Sequence, residues 1–536
     1  MNRRHVLKLL ASGTAALALP RCGGVAPGFP TAFVGADHAL GHRLREGGFA
    51  APVREERMDV LVVGAGVAGL SAARALHNAG VSDLRVIDLE QQPGGNARAG
   101  GTPEQRCPLG AHYLPLPDPD DADLLAFLRE AGVVHGLDPV SGLPIIGEEH
   151  LCADPHERLF VNGTWRSGIR PDHGLDASDR EQFAHFQSLV DDFAGMKGTD
   201  GRWALCMPID AGDLDADPRL REMDALTMED WMRQEGLDGD AVRWYLNYCC
   251  LDDFGAGIGT VSALAGLHYF AARRGRAANA EHGAMLTWPE GNAFLVERLS
   301  APLRDRFRGG QLVHAVRANT TGVEVDTLDA GTGDVVRYHA HHVVLAVPRF
   351  VADRLLGEAG RNGSDALHYA PWVVVNFFLD RSPEERRGEP MSWDNVRFGS
   401  STLGYVNSSH QRLDPRPELV LTHYRALAGG GPADLRRAAH ARSADDWVND
   451  ALEEMSVLHP DIRERTLRAE VAVWGHGMVI PVPGLLTGDM RKQLAVPVAG
   501  RIHFARGGVG GYSVFEEAFH QGLRAARAVL AARDHA

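Results

Sequence analysis

Lysine is nearly missing from this 536-residue chain: Lys8, Lys197 and Lys492 stand among 55 basic residues, and the rest are arginine. A genomic bias toward arginine accounts for the ratio, yet it leaves a catalytic lysine almost nowhere to be. Positive charge as a whole is short. Seventy acids give a net charge of −15, which argues against a nucleic-acid partner and is compatible with a cationic substrate. Long apolar runs are missing too. The best candidate, residues 9–19, is shorter than a bilayer crossing requires, so no transmembrane span is expected once a leader is removed. Cys22, Cys107, Cys152, Cys206, Cys249 and Cys250 form no C-x-x-C and no zinc spacing. No metal is expected from them, and buried structural thiols are the default reading. There are no internal repeats and no low-complexity tract. The composition, 44% hydrophobic and 23% charged, suits a globular chain with room for two domains.

At the N-terminus, Asn2-Arg3-Arg4-His5-Val6-Leu7-Lys8 before that short apolar run resembles a twin-arginine export signal. The resemblance implies export of an already folded protein, often with its cofactor loaded, to the periplasm or beyond. Cys22 invites a lipid-anchor reading, which Pro20 and Arg21 fit poorly. We read residues 1–24 as signal and 25–57 as an irregular extension rich in Gly, Pro and His.

The rest of the chain is organised around residues 58–95. An apolar run of strand length, 58–63, leads directly into Gly64-Ala65-Gly66-Val67-Ala68-Gly69. Apolar residues at helical spacing follow to residue 78, and Gly80 suits a helix C′ position. A second apolar run, 84–87, ends at Asp88, 24 residues after Gly64. Strand, G-x-G-x-x-G turn, helix, strand and terminal acid form a βαβ dinucleotide fingerprint. The first glycine permits the tight turn, the second a close approach to a pyrophosphate, and the third close packing of helix on strand. The helix start offers N–H donors to phosphate, and Asp88 is placed to accept from ribose hydroxyls. The fingerprint closes on Gly94-Gly95-Asn96.

Beyond about residue 118 the pattern becomes helical segments broken by polar loops, without a second fingerprint. Gly255 to Gly259 is glycine-rich but has the wrong spacing and no preceding strand, so it reads as a turn. Strands and helices resume near residue 286, with an apolar run at 342–347. The chain ends in RIHFARGGVGGYSVFEEAFHQGLRAA, a glycine-rich loop before a strong helix.

Taken together, the N-terminal fingerprint, the segment 311–326 followed by HHVVLAVP, and this C-terminal stretch resemble the FAD-dependent amine oxidase superfamily, which includes monoamine and polyamine oxidases and phytoene desaturases. The resemblance implies an α/β fold: a discontinuous Rossmann-like FAD-binding domain (58–117, 286–360, 497–536) with an inserted mixed α+β substrate domain (118–285, 361–496). It implies backbone contacts from Val316 to adenine, Gly110 and Ala111 along the isoalloxazine ring, and Gly508 in the last loop. The positive end of the last helix, at Val514, Phe515 and Glu516, would face the flavin N1–C2=O edge.

The sequence also departs from the family pattern. Asn96 stands where an arginine usually follows the Gly-Gly pair. On the strand WVVVNFF, Asn376 stands about where many amine oxidases place a lysine that holds a water near flavin N5. An asparagine cannot supply that charge, which favours an external electron carrier over oxygen as acceptor.

Candidate catalytic groups are His476, which could face the flavin, act as a base or carry a covalent bond to it, His112, which follows the flavin-flanking pair, and Asn376, which could still hold a water. Each histidine is equally readable as a structural one. Tyr512 and Phe515 could wall an amine by cation–π contact or simply pack around the helix start. The stretch 244–254, with 262–274, is similar to exported flavoproteins related to spermidine dehydrogenase. There Asp252 or Asp253 could pair with an ammonium group, or cap a helix. The expected activity is removal of a hydride from a C–N bond of an amine or polyamine. The alternatives are a C–C desaturase or isomerase of a lipid or terpenoid, and a non-catalytic flavin-bearing subunit of an exported complex.

Overall fold

The computed structural model describes residues 26–357, 367–414, 416–505 and 507–534. The twin-arginine pattern, Cys22 and the boundary at residue 360 lie outside them.

Two large sheets of mixed orientation organise an α/β fold. The first has seven strands. Phe307–Arg308, Leu84–Ile87, Arg54–Val63 and Val335–Leu345 run parallel in that order. The long strand Val335–Leu345 then serves two neighbours on its other edge. Residues 335–340 pair antiparallel with Val323–Asp329, which pairs with Gln311–Ala318. Residues 343–345 pair parallel with Ile502–Phe504. The sequence reports this division of labour. Arg54–Val63 begins as exposed REER and ends as the buried run VLVV, because only its second half is covered on both faces, as parallel strands are. Helix Val67–Asn78 and the C-terminal helix Phe515–Asp534 supply the cover. They approach so closely that a Cβ on Gly522 would lie 2.3 Å from the Ala68 carbonyl oxygen.

The second sheet has eight strands, in the order Thr31–Val34, Thr466–Ile480, His368–Leu379, Leu419–Ala426, Tyr405–Asn407, Asp394–Arg397, Glu157–Val161 and Thr164–Ser167. Helices Ala177–Ala194, Met228–Gln234, Asp240–Phe254 and Ala263–Ala271 pack into one apolar cluster against it. Helix Asp240–Phe254 ends where Gly255 adopts a left-handed φ of 68°, so the glycine-rich 255–259 is a turn. The five described cysteines are buried and unbridged. No helix among the described residues is long and apolar enough to cross a membrane.

One expectation is corrected. The described part of the segment read as an irregular extension, 26–57, is not irregular: it contributes the edge strand Thr31–Val34, parallel to Thr466–Ile480, and the helix His38–Glu46. The helix buries no residue completely and carries few apolar side chains, so its sequence reads as a polar segment. It is held by the Asp37 cap, whose carboxylate accepts the Leu40 N–H at 2.9 Å, and by Leu40 and Leu44 resting on Leu312, Leu328 and Val335.

Candidate active site

Each glycine of the fingerprint has its own reason. Gly64 sits at φ 104°, and a Cβ there would meet the Ala346 carbonyl oxygen at 2.7 Å. A Cβ on Gly69 would lie 1.8 Å from the Gly64 oxygen, so this glycine lets the helix close on the turn. Gly66 differs. Its backbone is ordinary, at φ −72° and ψ 178°, and an added Cβ would meet nothing within 4 Å. The protein alone has no need of a glycine there. The open space is a cradle for a ligand against the backbone, at the start of helix Val67–Asn78 with its unpaired N–H groups. Asp88 braces the cradle: one carboxylate oxygen accepts the Ala65 N–H at 2.5 Å and the other the Glu90 N–H at 2.8 Å. Burial raises its pKa, and those two N–H groups oppose the rise. The Gly94 N–H donates to the Ala65 oxygen at 2.7 Å, binding the Gly-Gly turn to the loop. Val67, Ala68, Gly95 and Gly508 line the same groove.

The groove meets a second cavity at Asn96, Ala111, Asn292, Trp474 and Val514, which face both. Asn96 donates to the Gly477 oxygen at 2.6 Å. A Cβ on Gly110 would lie 2.4 Å from the Asn96 oxygen, so the two segments touch backbone to backbone. Above them stands an aromatic wall. Tyr424 donates to the Gly110 oxygen at 3.1 Å and Trp474 to the Leu109 oxygen at 2.5 Å. The His112 ring stacks 4.4 Å from Tyr424 and lies 5.6 Å from Trp393. Burial pulls the His112 pKa to about 4, so the ring is neutral. Its Nδ1 lies 3.3 Å from the Gly110 oxygen, which assigns the proton to Nδ1 and leaves Nε2 an acceptor.

The far wall is acidic. Asp252 and Asp253 end helix Asp240–Phe254, and Glu516 opens the last helix. Arg273 bonds Asp253 at 2.9 and 3.2 Å. Among the described residues Asp252 has only Tyr113 as a hydrogen-bond partner, its hydroxyl 3.5 Å away. Burial, then the charge on Asp253, pushes Asp252 up to about 7, and burial pushes Glu516 up to about 7. Three carboxyls thus face one cation. The buried Asn292 Oδ1, Trp372 Nε1 and Tyr512 hydroxyl find no hydrogen-bond partner among the described residues. The open cradle at Gly66 and these orphaned polar atoms fit a long polar cofactor in the groove and a polar ligand in the cavity.

Three predicted residues lie elsewhere. Val316 is buried opposite Val325. A bulge between Val313 and Ala315 brings Val313 to the groove in its stead. Asn376 has no exposed surface; it donates to the Pro108 oxygen at 3.1 Å and accepts from the Thr422 hydroxyl at 2.6 Å. Trp372 and Val374, on the same strand face, reach the cavity, and Asn376 lies past its end. His476 leaves the cavity because residues 475–477 bulge between the Met478–Ala370 and Trp474–Trp372 pairs. Its ring packs 4.3 Å from Phe350 and lines the groove. Sequence reasoning missed Arg273, Trp372 and Tyr424. Arg273 reads as a helix-end charge, and the other two as ordinary strand aromatics.

A family model described as flavin containing amine oxidoreductase matches residues 67–530. No curated protein matches the chain at a significant level. Among solved structures, a double mutant from a redesign of cofactor binding in putrescine oxidase superposes with TM-score 0.66 at 17% identity, covering 89% of this chain and 100% of that one. Cyclohexylamine oxidase from Brevibacterium oxydans gives 0.62 at 18% identity, with 89% and 99% covered. A fatty acid isomerase from P. acnes gives 0.61 at 15%, with 88% and 98% covered. At these identities the neighbours speak for the fold alone, whereas the family match spans most of the sequence. The chain belongs to the flavin-containing amine oxidoreductases and is an FAD-dependent oxidoreductase.

Proposed function

We propose that FAD lies along the groove, with its diphosphate at Gly66 and its ring end at Gly110, Ala111 and Val514. The cavity beyond then takes an amine that carries a second cationic centre, a diamine or polyamine. Bound there, FAD supplies the acceptor for a hydride from the carbon next to nitrogen. The chain supplies the rest. The N–H groups at the start of helix Phe515–Asp534 favour negative charge at the ring end. Trp372, Tyr424 and Trp474 exclude water and attract a cation. His112 Nε2 accepts an N–H of the reacting amine and orients it. The observation that carries the reading is Asp252, a half-buried carboxyl that no cation bonds among the described residues; an ammonium supplied by the substrate completes the pair. Such a wall is out of place in an apolar tunnel for a lipid, so the desaturase or isomerase reading is less well supported.

We further propose that the electrons leave to a carrier. Reduction of dioxygen creates an anion that a fixed cation would stabilise. The one cationic side chain facing the cavity among the described residues is Arg273, which is already engaged by Asp253. Export through the twin-arginine signal completes the reading; Arg3→Lys with Arg4→Lys should retain the protein in the cytoplasm, as cell fractionation reads directly.

The central test is flavin absorbance under anaerobic conditions, before and after putrescine, spermidine and a panel of monoamines. Bleaching by a diamine or polyamine, and recolouring faster with an artificial acceptor than with air, supports the proposal. A bound flavin that no amine bleaches overturns it.

A further inference from the structure

The fingerprint supplies a floor for the cofactor and leaves one side of the groove to be closed by other parts of the chain. Helices His38–Glu46 and Pro432–Ala441 close it, the first with His38 and His42 and the second with Arg436 and His440. The rings of His38 and His440 meet at 4.2 Å, and His42 lies 6.4 and 6.3 Å from them. His38 Nε2 is anchored 3.0 Å from the Val473 oxygen. Arg436 donates to the Gly475 oxygen at 2.9 Å. Gly475 is what allows this approach, because a Cβ there would lie 2.9 Å from both Arg436 Cδ and His440 Nε2.

Charge selects what this wall faces. Arg436 is the single arginine or lysine among the described residues lining the groove, and nearby Arg98 is turned to Glu90 at 3.0 Å. Arg45 and Arg437 add like charge beside Arg436, and no described carboxylate bonds it. The fixed anion of a flavin dinucleotide is its diphosphate. The helix start at Val67 offers that anion only partial charge, and Asp88 and Glu90, acids on the same groove, offer none.

We propose that this wall holds the FAD diphosphate through Arg436, its one fixed cation, with the rings of His440 and His38 packed beside it. The wall rests on the reading that FAD occupies the groove.

The test is the rate of FAD release from the full-length holoenzyme after dilution, read as the gain in flavin fluorescence at several salt concentrations. Arg436→Gln should release FAD about 10- to 100-fold faster, the usual consequence of removing a charged hydrogen-bond partner. It should also respond less to salt than the wild type. Arg436→Lys, which keeps the charge, should stay within a few-fold of the wild type and guards against a folding artefact. Gly66→Val tests the groove itself: a Cβ there meets nothing within 4 Å and points into the open groove, so the variant should fold and be purified without FAD. Wild-type release from Arg436→Gln, with FAD lost from Gly66→Val, overturns the wall and leaves the groove standing. FAD retained by Gly66→Val overturns both.

Discussion

Replacing Asp252 with asparagine should move stability and activity in opposite directions. The carboxyl stands at about 7 in the folded protein against an ordinary 3.8, because burial and Asp253 disfavour its charge. The folded state therefore binds this proton more tightly than the unfolded chain. Stability falls as pH rises from about 4 to about 7 and is level above that. At about 1.4 kcal/mol per pH unit, the buried charge costs the fold on the order of 4 kcal/mol at pH 8. The amide of Asp252→Asn does not titrate, so the variant should be more stable than the wild type at pH 8, by up to that amount, and nearly equal to it near pH 4. Denaturant melts at the two pH values, with saturating FAD in both proteins, measure this. Catalysis should suffer where the fold gains. Removing one partner of a buried ion pair costs about 3–5 kcal/mol, so kcat/KM for a diamine should fall by at least a hundredfold. A monoamine with the same reacting end should change only a few-fold. In the wild type, diamine kcat/KM should also drop as pH falls below 7 and Asp252 takes up its proton. A variant whose stability advantage over the wild type is no larger at pH 8 than at pH 4, or that loses monoamine and diamine turnover equally, would refute the argument.

Other outcomes follow from the same geometry. Val374→Lys places an ammonium in the cavity and should speed recolouring of the reduced flavin by dissolved oxygen about tenfold in stopped flow. Asn376→Lys, two residues along the same strand, should unfold the protein, because it buries a charge against the Pro108 oxygen with no counter-ion. Arg158→Ala removes a fully buried guanidinium bonded to Glu385, Asn395 and Tyr405, and should cost about 3–5 kcal/mol in a denaturant melt. Gly522→Val drives a side chain into the backbone of helix Val67–Asn78 and should lower stability by about 1–3 kcal/mol or more.

The parts legible in the sequence are those whose constraints are local. Gly64 is forced by a left-handed backbone and Gly69 by contact with its own loop; such needs leave a mark within a few residues. Asp252, Asp253, His112 and Glu516 are legible as chemistry-bearing types, and the structure brings them to one cavity. Three expected residues stand away from the cavity, for two physical reasons. Val316 and His476 are reached by counting along strands, and a bulge upstream of Val316 and another around His476 break the count. Asn376 is on the expected face of its strand but one side chain past the cavity. The helix at 38–46 is invisible in the sequence because its partners are Leu312, Val335 and Val473, supplied by distant parts of the chain. Arg273 and Tyr424 acquire meaning only where sequence-distant elements converge.

The edge strand Thr31–Val34 pairs with Thr466–Ile480, and His38 reaches Val473 across 435 residues of chain. A segment made among the first therefore cannot take its place until nearly the last of the protein has been synthesised. Up to that moment the groove lacks the His38 side of its wall, although the glycine loop and its helix are long complete. Assembly thus has a built-in order, with an entrance open to the nucleotide through most of the chain's synthesis and shut by the partner strand's arrival.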